Sequence, residues 1–466
     1  MNNIKDSNVL FLSLDYKKLY NFENRLDGSF YCNEDNILLN NFEKNKFKKK
    51  KLINYLKLQN NWKDKIYLPN RSSRTYVKKK FGIPYFSGSD ITMSFPKPSA
   101  YLSKNHKSVK STLLKKNYIL VAARGTIGNS TLTSNRLHNS CASDNIIRVI
   151  ASEEQKYGYL YAFLKSKFGK AQFKRDTYGA VVDAISPTHV ANIEVPVINS
   201  KDINKINKDI KDMISVREKG YFLLDKANNL FMEELNLDSF DDLSSNLRIT
   251  SINSFGFETR FDGSFHDPIV NKVYENFNKS KNRIIRIGDE KISEKIFMPG
   301  RFSRIFVKEK FGIPFLTGKN ILQSDSVERR YLIKNKKSEE YKIKKGWLLL
   351  TRSGTIGRAS LVTSEWDNWT ATEDVIRIIP NNKNVDSGYF LTFINSIYGQ
   401  LQINKHVHGS VIDHITEPQV AEILMPYPKI EIQKKIGKLS TIGSDLIIKA
   451  NFLEKKIITF LEKKLN

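Results

Sequence analysis

Two textures alternate along this chain. In the first, apolar and polar residues run in short, nearly alternating stretches, such as "NYILVAARG" from Asn117 and "DNIIRVIAS" from Asp144, bounded by Gly, Pro and Ser/Thr. That pattern predicts short strands joined by turns, interrupted by a helix over 158–173. In the second texture, apolar residues recur at three- and four-residue spacing. Between Lys201 and Leu235 they are Ile203, Ile206, Ile210, Met213, Leu224, Ala227 and Phe231; between Lys429 and Asn466 they are Ile432, Ile436, Leu439, Leu446, Ala450, Leu453, Ile457 and Phe460. Each series follows a proline, Pro196 or Pro428, and predicts a helix of about 36 residues and about 54 Å. Each seam is narrow and flanked by Lys and Glu, which predicts that the two helices pack on each other as a coiled coil rather than each only on its own globular part. Gly443 lies on the second seam, where it costs about 1 kcal/mol of helix propensity but lets two backbones approach closely.

The two textures occur twice in the same order. "FGIPYFSGSDI" at Phe81 returns as "FGIPFLTGKNI" at Phe311, and "LPNRSSRTYV" at Leu68 as "MPGRFSRIFV" at Met298. "RGTIGNSTLTS" returns as "SGTIGRASLVTS", "GYLYAFLKSKFGKAQ" as "GYFLTFINSIYGQLQ", and "YGAVVDAISPTHVANIEVP" as "HGSVIDHITEPQVAEILMP". Even the starts agree, with "NRLDGSFY" near Asn24 and "TRFDGSFH" near Thr259. An ordered series at a near-constant offset of about 230 residues is a tandem duplication. The expected fold is α+β: a pseudo-twofold duplication, each half a mixed α/β domain followed by a long helix. The expected boundaries are 1–198 and 237–427 for the domains, and 199–236 and 428–466 for the helices.

Charge narrows the function. The chain carries 76 Lys+Arg against 49 Asp+Glu, a net +27. A composition rich in Lys, Asn and Ile accounts for many lysines but not for the shortfall of acids, so a polyanion partner is expected, nucleic acid first. A membrane surface ranks second, because no basic amphipathic helix with a lipid-facing aromatic side is visible. No apolar run approaches the roughly 18 residues that would span a bilayer. The N-terminal "MNNIKDSNVLFLSLDYKK" lacks the marks of a secretory signal, and Cys32 and Cys141 are too few for a disulfide framework. Both features fit a cytoplasmic location. Of seven histidines only His406 and His408 are close, with no cysteine near them, so no metal site and no cofactor are expected.

The most distinctive short motif is "LVAARGTIGNSTLTSN", Leu120 to Asn135. It lacks the lysine of a nucleotide P-loop and the three helix-opening glycines of a dinucleotide site, and β-prone residues follow it. A strand, a Gly-containing turn and a second strand are therefore expected. No methyltransferase-type Asn-Pro-Pro-aromatic tetrapeptide, nucleophile elbow, His-Glu-x-x-His or nuclease-type acid pair occurs, and Asp183 and Asp413 read as turn or cap residues. The chain thus reads as a binding and scaffolding protein with no catalytic residues. Its candidate DNA contacts are Arg71 and Arg74, recurring as Arg301 and Arg304, with Lys78 and Lys319 beside the same motifs. Arg124 and Thr126 belong to the first Gly turn, Arg352 and Thr355 to the second. Arginine grips guanine through two hydrogen bonds in the major groove and also grips phosphate, which fixes register without reading sequence.

Together, "GIPF-x-T-G-x-x-I", "LLLTRSGTIGRASLV", a helix, "HGSVIDHIT", a proline and a long helix containing "IEIQKKI" resemble the specificity subunit of type I restriction–modification systems. The likeness extends over essentially the whole chain, twice. The first copy departs in "VAARGTIG" and in lacking the counterpart of Gln433. The resemblance implies two target-recognition domains, each reading half of a bipartite site in double-stranded DNA. It further implies antiparallel helices that separate the domains and dock two methyltransferase subunits, with restriction/translocase subunits acting through those. Chemistry would belong to the partners. A stand-alone nucleic-acid-binding repeat protein, or a specificity subunit of another methylation-based defence assembly, is the alternative.

Overall fold

The computed structural model describes residues 34–56, 62–125, 127–175, 184–238, 240, 265–322, 330–407 and 413–466. Thr126 and Asp183 lie outside these residues, as does most of the two matched starts.

Each copy builds two main sheets around one run of apolar residues, beside a two-stranded one (Lys49–Lys51 with Glu194–Pro196, and Arg283–Arg286 with Leu424–Tyr427). In the first, a four-stranded antiparallel sheet has the order Ile66–Tyr67, Ile146–Ile150, Tyr118–Ala122, Ser130–Leu132. Tyr118–Ala122 is buried along its whole length, because both of its faces are covered. Ile119 and Val121 join a core with the helix Tyr157–Lys165, while Tyr118 and Leu120 pack with Phe86, Leu114 and Ile146 on the other side. A strand covered on both faces must be continuously apolar, and "YILVA" is. The smaller sheet sets Gly82–Phe86 between Ala100–Ser103, antiparallel, and Cys141–Ala142, parallel.

The second copy repeats both sheets. Its larger one has the order Ser293–Phe297, Val375–Pro380, Leu348–Thr351, Ala359–Leu361. The counterpart of the smaller sheet gains an edge strand, with the order Phe306–Val307, Arg330–Ile333, Gly312–Leu316, Thr370–Ala371. Even single hydrogen bonds recur: the Tyr159 hydroxyl donates to the Pro196 carbonyl and the Tyr389 hydroxyl to that of Pro426, each at 2.6 Å. The duplication and its mixed α/β halves are as the sequence predicts.

The two long helices, Ser200–Glu234 and Ile430–Leu465, lie side by side in opposite directions. Lys464 reaches Asp202 at 3.2 Å, Arg217 donates to Asn451 at 3.0 Å, and Lys435 pairs with Glu234, so positions advancing on one helix meet positions receding on the other. At the centre, Gly220 and Gly443 face each other. A Cβ on Gly220 would stand 2.7 Å from Ile447 and 2.8 Å from the Gly443 carbonyl oxygen. The seams are wider than the sequence suggests, because each helix also closes both domains. Ile206, Ile210 and Met213 enter the first core with Ala450, Ile457 and Leu461 of the other helix; Ala227 and Phe231 enter the second with Ile436.

This close approach makes a prediction. Gly220→Leu forces a branched side chain into a gap with no room, an overpacking cost of about 1–3 kcal/mol. The thermal midpoint of the full chain should fall by several degrees, whereas Phe222→Leu, on an exposed position of the same helix, should leave it unchanged. Equal midpoints for both variants would show that the helices are free to slide apart.

Candidate nucleic-acid interface

The segments carrying the matched arginines run along the smaller sheets. In the first domain Val77 donates to the Tyr101 carbonyl at 2.9 Å and Ser103 to that of Thr75 at 2.9 Å. In the second, Phe306–Val307 becomes an edge strand on Arg330–Ile333. The chain then turns through Lys79–Phe81 or Glu309–Phe311 into the strand that begins at Gly82 or Gly312. Both glycines are there for space: a Cβ at either would lie 2.6 Å from the Cβ of Tyr101 or Tyr331 on the neighbouring strand.

The arginines divide into two kinds. Arg71 and Arg301 are exposed at the start of these segments. Arg74 and Arg304, also at the surface, are instead each held by an acid and lie over an aromatic ring. Arg74 donates to the Asp144 carboxylate and lies 5.3 Å over the Tyr85 ring. Arg304 donates to the Glu373 carboxylate, reaches the Thr372 hydroxyl at 3.3 Å, and lies 5.4 Å over the Phe315 ring. Burial alone would push the Glu373 carboxyl up, but the hydrogen bond and charge of Arg304 hold it below the usual range. These two side chains tie the smaller sheet to the segment entering the larger one, with about a third of each still exposed.

The Gly turns are strand–turn–strand, as the sequence predicts. Gly125 and Gly128 both have φ of 75°, Gly354 72° and Gly357 73°, the left-handed region where glycine is favoured. The turns close with Gly128 donating to the Ala122 carbonyl at 3.1 Å and Gly357 to that of Thr351 at 2.9 Å. A Cβ on Gly128 would strike Phe173 at 2.6 Å, and one on Gly357 would strike Ile403 at 2.4 Å. Each turn is thus pressed onto the helix behind it, leaving Gly125 or Gly354 at the open tip.

Arg124 and Arg352 precede these turns but are not in register. Ile185 donates to the Ala123 carbonyl at 3.0 Å, and Ile415 to that of Arg352 at 3.3 Å, so Arg352 takes the place of Ala123. Arg124 matches Ser353; each forms a backbone bridge, to Ala184 and His414 respectively. Arg124 is exposed, whereas Arg352 is half-buried and 3.5 Å from Asp374, which also accepts from the Ser353 hydroxyl. Thr355 and Lys319 are exposed, and Lys78 is half-buried ahead of the Lys79–Phe81 turn.

Direct contacts also join the two domains. Ser94 donates its backbone N–H to the Leu322 carbonyl at 2.7 Å, and the Lys97 ammonium donates to the Asn395 carbonyl at 2.9 Å. Arg136 braces the same loop, stacking 4.0 Å over Phe95 and pairing with Asp225 of the first long helix at 2.5 Å.

A family model described as type I restriction modification DNA specificity domain matches residues 65–215 and again 295–462, well over half the chain. The chain belongs to that family. The two matches begin within or just before the larger sheet of each specificity domain and end within the long helix that follows. No curated protein matches. Among solved structures, the type I restriction-modification S subunit from M. genitalium is 16% identical, with 84% of this chain and 91% of that chain covered and a TM-score of 0.32. The HsdS subunit from Thermoanaerobacter tengcongensis is 14% identical over 84% of this chain and 93% of that one, with a TM-score of 0.26.

Two features of the specificity domains escape a reading of the sequence. Arg148 and Arg377, at the matched centres of "DNIIRVI" and "EDVIRII", are 0% and 1% exposed. Arg148 donates to the carbonyls of Ala142 at 2.6 Å, Ser143 at 2.9 Å and Ile146; Arg377 donates to Ala371 at 2.8 Å, Val375 at 3.2 Å and Thr372 at 3.4 Å. Each satisfies the carbonyls where the smaller sheet passes into the larger, and burial lowers both guanidiniums to about 10. The second feature is a set of matched exposed aromatics, Tyr76 and Phe81 against Phe306 and Phe311.

Proposed function

We propose that the chain is the non-catalytic specificity subunit of a type I restriction–modification complex and works in the cytoplasm. Each domain reads one half of a bipartite site in double-stranded DNA. The paired helices set the distance between the halves and dock two methyltransferase subunits, through which restriction/translocase subunits act. The observation that carries this reading is the antiparallel pairing of two like helices, each shared between two like domains. Two copies so arranged are related by a pseudo-twofold axis, and duplex DNA has local twofold axes of its own, so the domains can meet two half-sites in opposite orientation. Arg71, Arg301 and Arg124, exposed beside the sheets, are the candidate base contacts; Lys78, Lys319, Thr355 and Thr126 are candidate phosphate or groove contacts; Arg352 is a weaker candidate base contact, being half-paired. Arg74 and Arg304 hold the reading surface in place.

Affinity isolation of the tagged full chain from its native cells tests this. The expected result is an adenine methyltransferase in roughly twofold excess over the chain. Isolation of the chain alone, still binding duplex DNA, would favour a stand-alone nucleic-acid-binding repeat protein.

A further inference from the structure

Phe81 and Phe311 are 59% and 57% exposed, at the same register in the two domains. Each ring is presented by a rigid turn: the Phe81 N–H donates to the Lys78 carbonyl at 2.9 Å and the Phe311 N–H to the Lys308 carbonyl at 2.9 Å, and the next residue is the first of a strand. Each carries a lysine ammonium over its face, Lys80 at 5.0 Å and Lys310 at 4.6 Å. Among the described residues, neither ring joins a hydrophobic core. A large apolar ring held in water by a well-ordered turn, and held so twice, points to a contact made with something else.

The duplication itself says what kind of contact. The loops that follow differ between the copies, "SFPKPSAYLSKNHKSVKS" against "QSDSVERRYLIKNKKSEEY", as loops reading different half-sites would. A ring kept in both copies serves something the half-sites share. The flanking sequence is mostly basic, with Lys78, Lys79 and Lys80 in one copy and Lys308 and Lys310 on either side of Glu309 in the other. Covering them with an apolar protein surface would strip water from several cations at once, which is costly without acids to pair them. A polyanion that also offers apolar π-faces meets both needs.

The geometry points to Phe81 and Phe311 as sequence-indifferent wedges, each packing its ring on the bases of its own half-site while the flanking lysines take the phosphates. This assignment rests on the DNA-reading function proposed above. Base–aromatic stacking tolerates any sequence because every base has a π-face, and wedging at a base step opens the stack locally.

The test uses the full chain in complex with its methyltransferase subunits and a duplex bearing the site, with 2-aminopurine placed in turn at each step of one half. The wild-type complex should show a rise in fluorescence at one step, and Phe81→Ala should abolish that rise. Phe81→Ala should also weaken binding about tenfold for that half-site and for single-base variants of it alike, leaving their ranking unchanged. Phe81→Trp should restore both signals, and Phe311→Ala should do the same in the other half. The thermal midpoints of the variants should equal that of the wild type, since the rings are exposed. Unchanged affinity and fluorescence in Phe81→Ala would overturn the assignment. Loss of methyltransferase from the complex with DNA binding by the chain retained would also overturn it, making the rings a protein contact. Absence of any duplex binding by the wild-type complex would instead overturn the proposed function itself.

Discussion

Glu454→Ala is expected to cost about 3–5 kcal/mol of stability and to lower the thermal midpoint by about 3–5 °C. The Glu454 carboxylate is fully enclosed where the helix Tyr157–Lys165 meets both long helices. Lys165 reaches it at 3.1 Å and Arg217 at 3.4 Å, and the Tyr161 hydroxyl donates to it. Burial alone would push this carboxyl up, but the two cations hold it down to about 2. Removing it leaves two cations buried without a counter-charge, which is worse than never having buried them. The pH dependence follows from the same shift. A carboxyl depressed on folding stabilises fully above its unfolded value of about 4.3, and that contribution drains away as pH falls from there toward 2. Thermal unfolding from pH 7 to pH 3 should show the wild-type midpoint dropping toward that of Glu454→Gln. Curves that stay parallel over that range would show that Glu454 is not the group responsible.

Replacing the exposed matched arginines should separate the two halves of the target. Arg71→Ala should weaken binding by about 1–3 kcal/mol, roughly tenfold to a hundredfold, and relax base preference only in the half read by the first domain. Arg301→Ala should do so only in the other half. Competition binding against duplexes with single-base changes in each half distinguishes this from a phosphate contact, which would weaken all sequences uniformly and reduce the salt dependence by about one charge. Equal relaxation at both halves by either variant would contradict the one-domain, one-half assignment.

Much of this architecture was legible because it is written twice. The offset motifs place the strands, the Gly turns and the helices, and β-prone residues after "RGTIG" identify a hairpin rather than a phosphate loop. What escaped depends on partners distant along the chain. Arg74 reads as a candidate DNA contact from its repeat alone, and nothing local shows that Asp144, seventy positions away, pairs with it. Gly443 is conspicuous on its seam, but Gly220 acquires meaning only once the helices are set in register. Arg148 sits in an alternating strand pattern that assigns it to solvent, and nothing local reveals the carbonyls it satisfies. The Glu454 cluster is invisible to the repeat, since at the offset of the duplication Glu454 falls on Leu224 and Arg217 on Ile447. The first domain is pinned to the helices by ions. Both domains also press a matched glycine onto a long helix: a Cβ on Gly158 would meet the Asn207 backbone at 3.1 Å, and one on Gly388 the Gly437 carbonyl oxygen at 2.2 Å.

Two domains that read two halves of one site at a distance set by the helices should fix the spacing of every site that is methylated. Genome-wide mapping of methylated adenines, in cells with and without this chain, tests it most directly. The expected map holds one bipartite motif, two short and different half-sites separated by an unspecified spacer of fixed length, that disappears when the chain is removed. A continuous motif, halves found at variable separations, or a methylation map indifferent to the chain would contradict it.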